Sequence, residues 1–163
     1  MDWIFALLLF LHVGGAILAF GPTYAFPLIA AMAAGEPQHM NFALRAQKRI
    51  ASTLVTPLAL FQGVTGLLLV WRIGFDILTR GWLILAIVLY IIALAVAFGV
   101  LNPALRMLIA ATSAPPPMPP ADAPAASGPP PHIAAAVRRA RIGGMINGIL
   151  VMVIVFLMVT KPF

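Results

Sequence analysis

The sequence predicts an all-α integral membrane protein: a four-transmembrane-helix bundle, N-out/C-out, with a short cytoplasmic amphipathic helix before helix 2. Three observations predict it. First, 63% of the residues are hydrophobic and 9% charged, with a mean hydropathy of +1.06. A soluble domain carries about 25% charged residues, so this chain lacks the polar surface to remain in water. Second, the charges fall between long uncharged blocks, Trp3–Gly35, Ile50–Trp71, Gly81–Leu105 and Ile142–Thr160. About 20 apolar residues in a helix cross a hydrocarbon core of ~30 Å, and each block is of that order or longer. Third, the basic residues are unevenly shared among the connections. The first holds Arg45, Lys48 and Arg49, and the third Arg106, Arg138, Arg139 and Arg141. The second holds only Arg72 and Arg80 around Asp76, and Lys161 lies near the C-terminus. Lys and Arg accumulate on the cytoplasmic side, which turns the first and third connections inward.

Helix 1 is expected over residues 3–33. Its start, MDWIF, carries an acid where a secretory signal needs basic residues. The apolar run also outlasts the roughly 7–15 residues of a signal's hydrophobic region, so the segment reads as a retained helix. As a straight helix the block would extend about 50 Å, well beyond the membrane core. Gly21-Pro22 and Pro27 predict a kink near Pro22. Residues 38–52 read as a basic amphipathic helix at the interface, running into helix 2 at 53–72. Pro57 falls in the first turns of that span, where Thr53 or Thr56 can re-satisfy freed backbone groups. Helix 3, 81–102, meets Asn102-Pro103, a break or kink, with some helix resuming from Arg106 to Ala111. The stretch SAPPPMPPADAPAASGPPP, 113–131, is expected to be a disordered cytoplasmic tether, because proline cannot continue a helix and favours extended chain. Helix 4 follows at 135–160. Trp3, Trp71 and Trp82 all fall at the expected outer boundary, where indole prefers to sit.

Composition also narrows function. With no cysteine there are no disulfides, thiolate metal sites or cysteine nucleophiles. The net charge of +6 sits beside membrane spans, where orientation and headgroup contact account for it, so no nucleic-acid partner is expected. The lipid bilayer is the expected environment. GGAIL and IGGMING have no strand before them, which excludes dinucleotide fingerprints. None of the four acids lies inside a span, which disfavours a carboxylate-based proton pump or metal carrier.

What remains is a set of polar groups inside the greasy blocks. Counting inward from the outer edge puts His12, Gln62 and Tyr90 each about 15 Å deep, with Met152 near the same level and Asn147 about a turn deeper. Their helical faces are lined by small residues: Gly15, Ala16 and Ala19 beside His12, Ala59 and Gly66 beside Gln62, and Gly143, Gly144 and Gly148 beside Asn147. Small residues mark close approach between membrane helices, so these polar groups point into the bundle or toward a second subunit. Two uses compete. An interhelical hydrogen bond from His12 to Gln62 or Tyr90 would contribute about 0.6–2 kcal/mol to packing alone. Alternatively, a neutral imidazole is a common axial ligand of haem iron, and His with Met is a known axial pair, which would make His12 and Met152 ligands. His39 and His132 read as solvated histidines near the headgroups.

HVGGAILAFGPTYAFP in helix 1, ALRAQKRIASTLVTP leading into helix 2 with GVTG beyond it, and the ending FLMVTKP resemble the integral membrane family DUF2269 over all four helices. A more distant likeness runs to HemJ-type proteins of protoporphyrinogen oxidation and to CopD-like copper-resistance domains, which also place a histidine early in helix 1. That likeness implies His12 as a haem or metal ligand. The HemJ-type pattern adds an essential lysine in a later span, whereas the lysines here, Lys48 and Lys161, lie outside the membrane blocks.

The expectation is therefore a small multi-pass protein of the bacterial inner membrane binding haem or a porphyrin-like ligand. His12 would be the ligand, and Gln62, Tyr90, Asn147 and Met152 would complete the pocket. The alternative is a non-catalytic membrane subunit or scaffold, forming a homo-oligomer or joining a larger membrane complex. A small-molecule or copper permease ranks third.

Overall fold

A computed structural model describes residues 2–74, 77–113 and 128–162. Those residues are helical throughout apart from short connections, and four helices are long and apolar enough to cross a membrane: helix 1 (Trp3–Gly35), helix 2 (Pro37–Ile73), helix 3 (Gly81–Ser113) and helix 4 (Pro131–Thr160). The Pro-rich tether expected at 113–131 falls largely at 114–127, outside the described residues.

Only 11% to 17% of the most apolar window of each helix is buried inside the bundle. Large apolar side chains instead line the exterior, among them Phe10 at 71% exposed and Trp71 at 78%. A water-soluble fold cannot expose so continuous an apolar surface. The protein is an integral, multi-pass membrane protein.

Each helix end follows from local chemistry. Asp2 caps helix 1 by accepting a hydrogen bond from the Ile4 N–H, and it also pairs with Arg72 near the end of helix 2. Helix 2 stops at Gly74, whose φ of +69° is the left-handed conformation glycine adopts without Cβ strain. Helix 4 begins at Pro131, since proline suits the first helical turn, where no N–H partner is needed.

The internal prolines distort their helices without ending them. In helix 1, Gly21–Ala25 tightens into a 3₁₀ turn and the α-helix resumes at Phe26. In helices 2 and 3 the wider π register takes over at Ala51–Val55 and Ala97–Leu101, just before Thr56-Pro57 and Asn102-Pro103. A proline ring crowds the carbonyl one turn back and donates no N–H, and a wider turn relieves both problems. Ser52 and Thr53 donate their hydroxyls to the Arg49 carbonyl at 3.1 and 2.7 Å, so that stretch keeps its backbone partners. Helix 3 thus runs unbroken through Asn102-Pro103 to Ser113.

The helices pack in a defined order. Trp3–Phe20 of helix 1 lies along Thr56–Ile73 of helix 2, and Gly81–Val96 of helix 3 lies along helix 4. At one end of the bundle, Met40–Ile50, Asn102–Ser113 and the start of helix 4 meet around Leu44, Leu108 and Ala136. Met40–Ile50 is the amphipathic segment, burying Ala43, Leu44 and Gln47 while Arg45 and Arg49 face out. Asn41 fastens this junction by donating its amide to the Ile109 carbonyl, Thr112 Oγ1 and Ser113 Oγ near the end of helix 3. Toward the other end, Trp82, Leu83 and Ala86 of helix 3 pack on Leu157 of helix 4, with Val70 of helix 2 alongside.

Candidate functional site

Helix 2 carries the sequence Gly63-Val64-Thr65-Gly66, and the polar layer is built on it. Gln62, Thr65 and Gly66 lie three and four residues apart, so they share one face. That face meets helix 1 where Gly15 and Ala19 are buried. His12, about one turn before Gly15, reaches across. Its Cε1 would lie 3.0 Å from a Cβ added at Gly66, so the ring rests in a notch that only glycine leaves open. The reverse notch stands opposite, where a Cβ at Gly15 would come within 3.2 Å of Gln62 Oε1.

The hydrogen bonds form one directed chain. The Gln62 amide donates to His12 Nε2 at 3.0 Å, which puts the ring proton on Nδ1. His12 Nδ1–H donates to Thr65 Oγ1 at 3.0 Å. The Thr65 hydroxyl then donates back to the Phe61 and Gln62 carbonyls at 3.0 and 3.2 Å. Thr65 is the most deeply buried polar residue among the described residues, 2% exposed. Each nitrogen of the imidazole already has a protein partner. Gln62 Oε1 is buried with no partner among the described residues.

Tyr90 belongs to the neighbouring face of helix 2, not to this chain of bonds. Its hydroxyl donates to the Ala59 carbonyl at 2.8 Å, and its ring covers Gly63, where an added Cβ would stand 2.7 Å from the phenol oxygen. Tyr24 does the same between the other helices, donating to the Gly148 carbonyl of helix 4 at 3.1 Å. The chain has two tyrosines. One ties helix 3 to helix 2 and the other ties helix 1 to helix 4, both through a phenol on a backbone carbonyl.

The five residues expected to share a pocket are therefore divided. His12 and Gln62 meet directly. Tyr90 contacts the same helix 2 through Ala59 and Gly63. Asn147 sits on helix 4 beside Gly148 with its Oδ1 buried and, among the described residues, unpartnered. Met152 turns outward and is 59% exposed, so it cannot complete an axial pair with a histidine held between helices 1 and 2. Thr65 was missed because a threonine in a membrane helix can bond its own backbone and so looks self-sufficient. Its spacing of three residues from Gln62 was the available signal. Tyr24 was missed because it sits at the Gly21–Ala25 turn, where the facing helix is not legible.

Haem does not fit these residues as arranged. Iron needs a free imidazole lone pair, and the lone pair of Nε2 is taken by Gln62 while Nδ1 carries the proton. No group of three His, Cys, Asp or Glu side chains comes together among the described residues. His39 and His132 are exposed, and His39 lies 3.6 Å from Glu36.

No match to the chain was found among curated proteins or solved structures. The profile of a family described as "Predicted integral membrane protein (DUF2269)" matches residues 6–162, nearly the whole chain. The chain belongs to that family.

Proposed function

For this member of DUF2269, we propose the role of a non-catalytic membrane subunit or scaffold that packs against a partner or a second copy of itself. The observation that carries this reading is the engagement of both His12 ring nitrogens, by Gln62 and by Thr65. Polar groups in hydrocarbon are expensive, and here they join helix 1 to helix 2 and leave no lone pair for a ligand. Open glycines on the outside support docking. Nothing lies within 4 Å of a Cβ position at Gly14, Gly21 or Gly144. Gly144 thus leaves a place on helix 4 where another helix backbone can approach closely. The Lys and Arg distribution supports termini outside and residence in the bacterial cytoplasmic membrane.

The experiment combines two readouts on protein expressed with ample haem, one after purification in detergent and one in native membranes. An absorption spectrum is expected to lack a Soret band. Crosslinking in native membranes is expected to trap an assembly that Gly144→Leu disrupts and His12→Ala leaves in place. A Soret band that vanishes in His12→Ala would falsify the scaffold reading and restore the imidazole as a ligand. Crosslinking that traps only monomers would also overturn it.

A further inference from the structure

The three-helix junction at the basic end has a second feature. Arg45, Lys48, Arg49 and Ser52 follow one another at helical spacing and, with Ile109 of helix 3, line an open groove of about 330 Å³. Arg106 stands one turn before Ile109 and lines an adjoining hollow with Phe98, Asn102 and Pro103. The groove's charge is not compensated within the described residues. The two acids among the described residues, Asp2 and Glu36, are paired with Arg72 and His39. None of Arg45, Lys48 and Arg49 has an ion-pair partner among the described residues.

Position narrows what such a groove holds. It lies where the amphipathic Met40–Ile50 segment passes into the apolar span, so its cations stand at headgroup depth. Beside them, Ile109 of helix 3 offers apolar surface to an acyl chain. A free inorganic anion would use the cations alone, whereas a phospholipid uses both surfaces. Arg brings a planar fork that grips phosphate oxygens in pairs, and Lys a mobile point charge. The hydroxyl bonds of Ser52 and Thr53 to the Arg49 carbonyl hold the turn that presents Arg49.

We propose that the groove formed by Arg45, Lys48, Arg49, Ser52 and Ile109 binds the phosphate headgroup of an anionic phospholipid. This proposal is independent of the role assigned to His12. The test places the full chain in phosphatidylcholine nanodiscs doped with phosphatidylglycerol and counts retained lipid by native mass spectrometry. Wild-type protein is expected to retain phosphatidylglycerol over phosphatidylcholine. The triple variant Arg45→Gln/Lys48→Gln/Arg49→Gln is expected to bind it at least about tenfold more weakly, each basic side chain contributing a comparable share. The control triple Arg138→Gln/Arg139→Gln/Arg141→Gln removes the same charge from exposed positions outside the groove and is expected to weaken binding far less. Equal losses in the two triples would reduce the effect to diffuse surface charge and overturn the proposal. Wild-type protein that retains both lipids equally overturns it without reference to any variant. Displacement of phosphatidylglycerol by inorganic phosphate would show a simple anion site and overturn the lipid assignment.

Discussion

Helices 1 and 2 and helices 3 and 4 form two antiparallel pairs of similar length that are held together in different ways. Between helices 1 and 2 the contact centres on hydrogen-bonded His12, Gln62 and Thr65, seated in the Gly15 and Gly66 notches. Between helices 3 and 4 it is apolar: Trp82, Leu83 and Ala86 on Leu157, with Gly143 placed so that a Cβ would come within 3.0 Å of Leu101 and 3.2 Å of Val100. Lipid tails are as apolar as leucine, so burying leucine against leucine in a membrane gains little by the hydrophobic effect. Both pairs therefore rely on close shape, and both place glycine or alanine where a neighbour intrudes. The first adds directional bonds, which fix rotation as well as proximity. The two tyrosines then fasten one pair to the other.

That contrast can be broken most sharply at a notch. Gly66→Leu drives a side chain into the space of the His12 ring. It is expected to cost about 3 kcal/mol or more, at the upper end of overpacking penalties, and to separate helix 1 from helix 2. Unfolding in mixed detergent would measure it, and a variant as stable as wild type would mean that the His12 seat is not occupied.

Trp82→Ala tests the apolar pair. In water such a truncation costs about 3–5 kcal/mol. Here lipid can take up part of the exposed surface, and a loss nearer 2 kcal/mol is expected. If this loss exceeded that of Gly66→Leu, the second pair and not the first would dominate the fold.

The smallest effects separate directional bonds from shape. Thr65→Val keeps the side chain's outline but leaves the His12 Nδ1–H unpaired, for an expected loss of about 1 kcal/mol. Tyr90→Phe removes one bond to a carbonyl and should cost about 0.6 kcal/mol, the average for a membrane interhelical bond. The same unfolding titration resolves the order. A Thr65→Val cost no larger than that of Tyr90→Phe would make the His12–Thr65 bond an ordinary one.

Much of this architecture was legible along the chain. Hydropathy is a local sum set against a fixed membrane thickness, so four spans and an all-helical fold follow from composition and spacing alone. The amphipathic run after Gln38 and the interior placement of His12 and Gln62 follow from helical periodicity and from the small residues around them. Which polar group meets which was not legible, because that depends on the rotation of each helix about its own axis. The prolines add to the uncertainty, since a π turn or a 3₁₀ turn shifts the phase of every residue beyond it. Tertiary packing decided that Thr65 receives the imidazole proton, that Tyr90 turns to Ala59 and not to His12, and that Met152 faces lipid. Those outcomes rest on Gly15, Gly63 and Gly66 lying opposite the side chains that fill them, a match between separate helices that no single segment encodes.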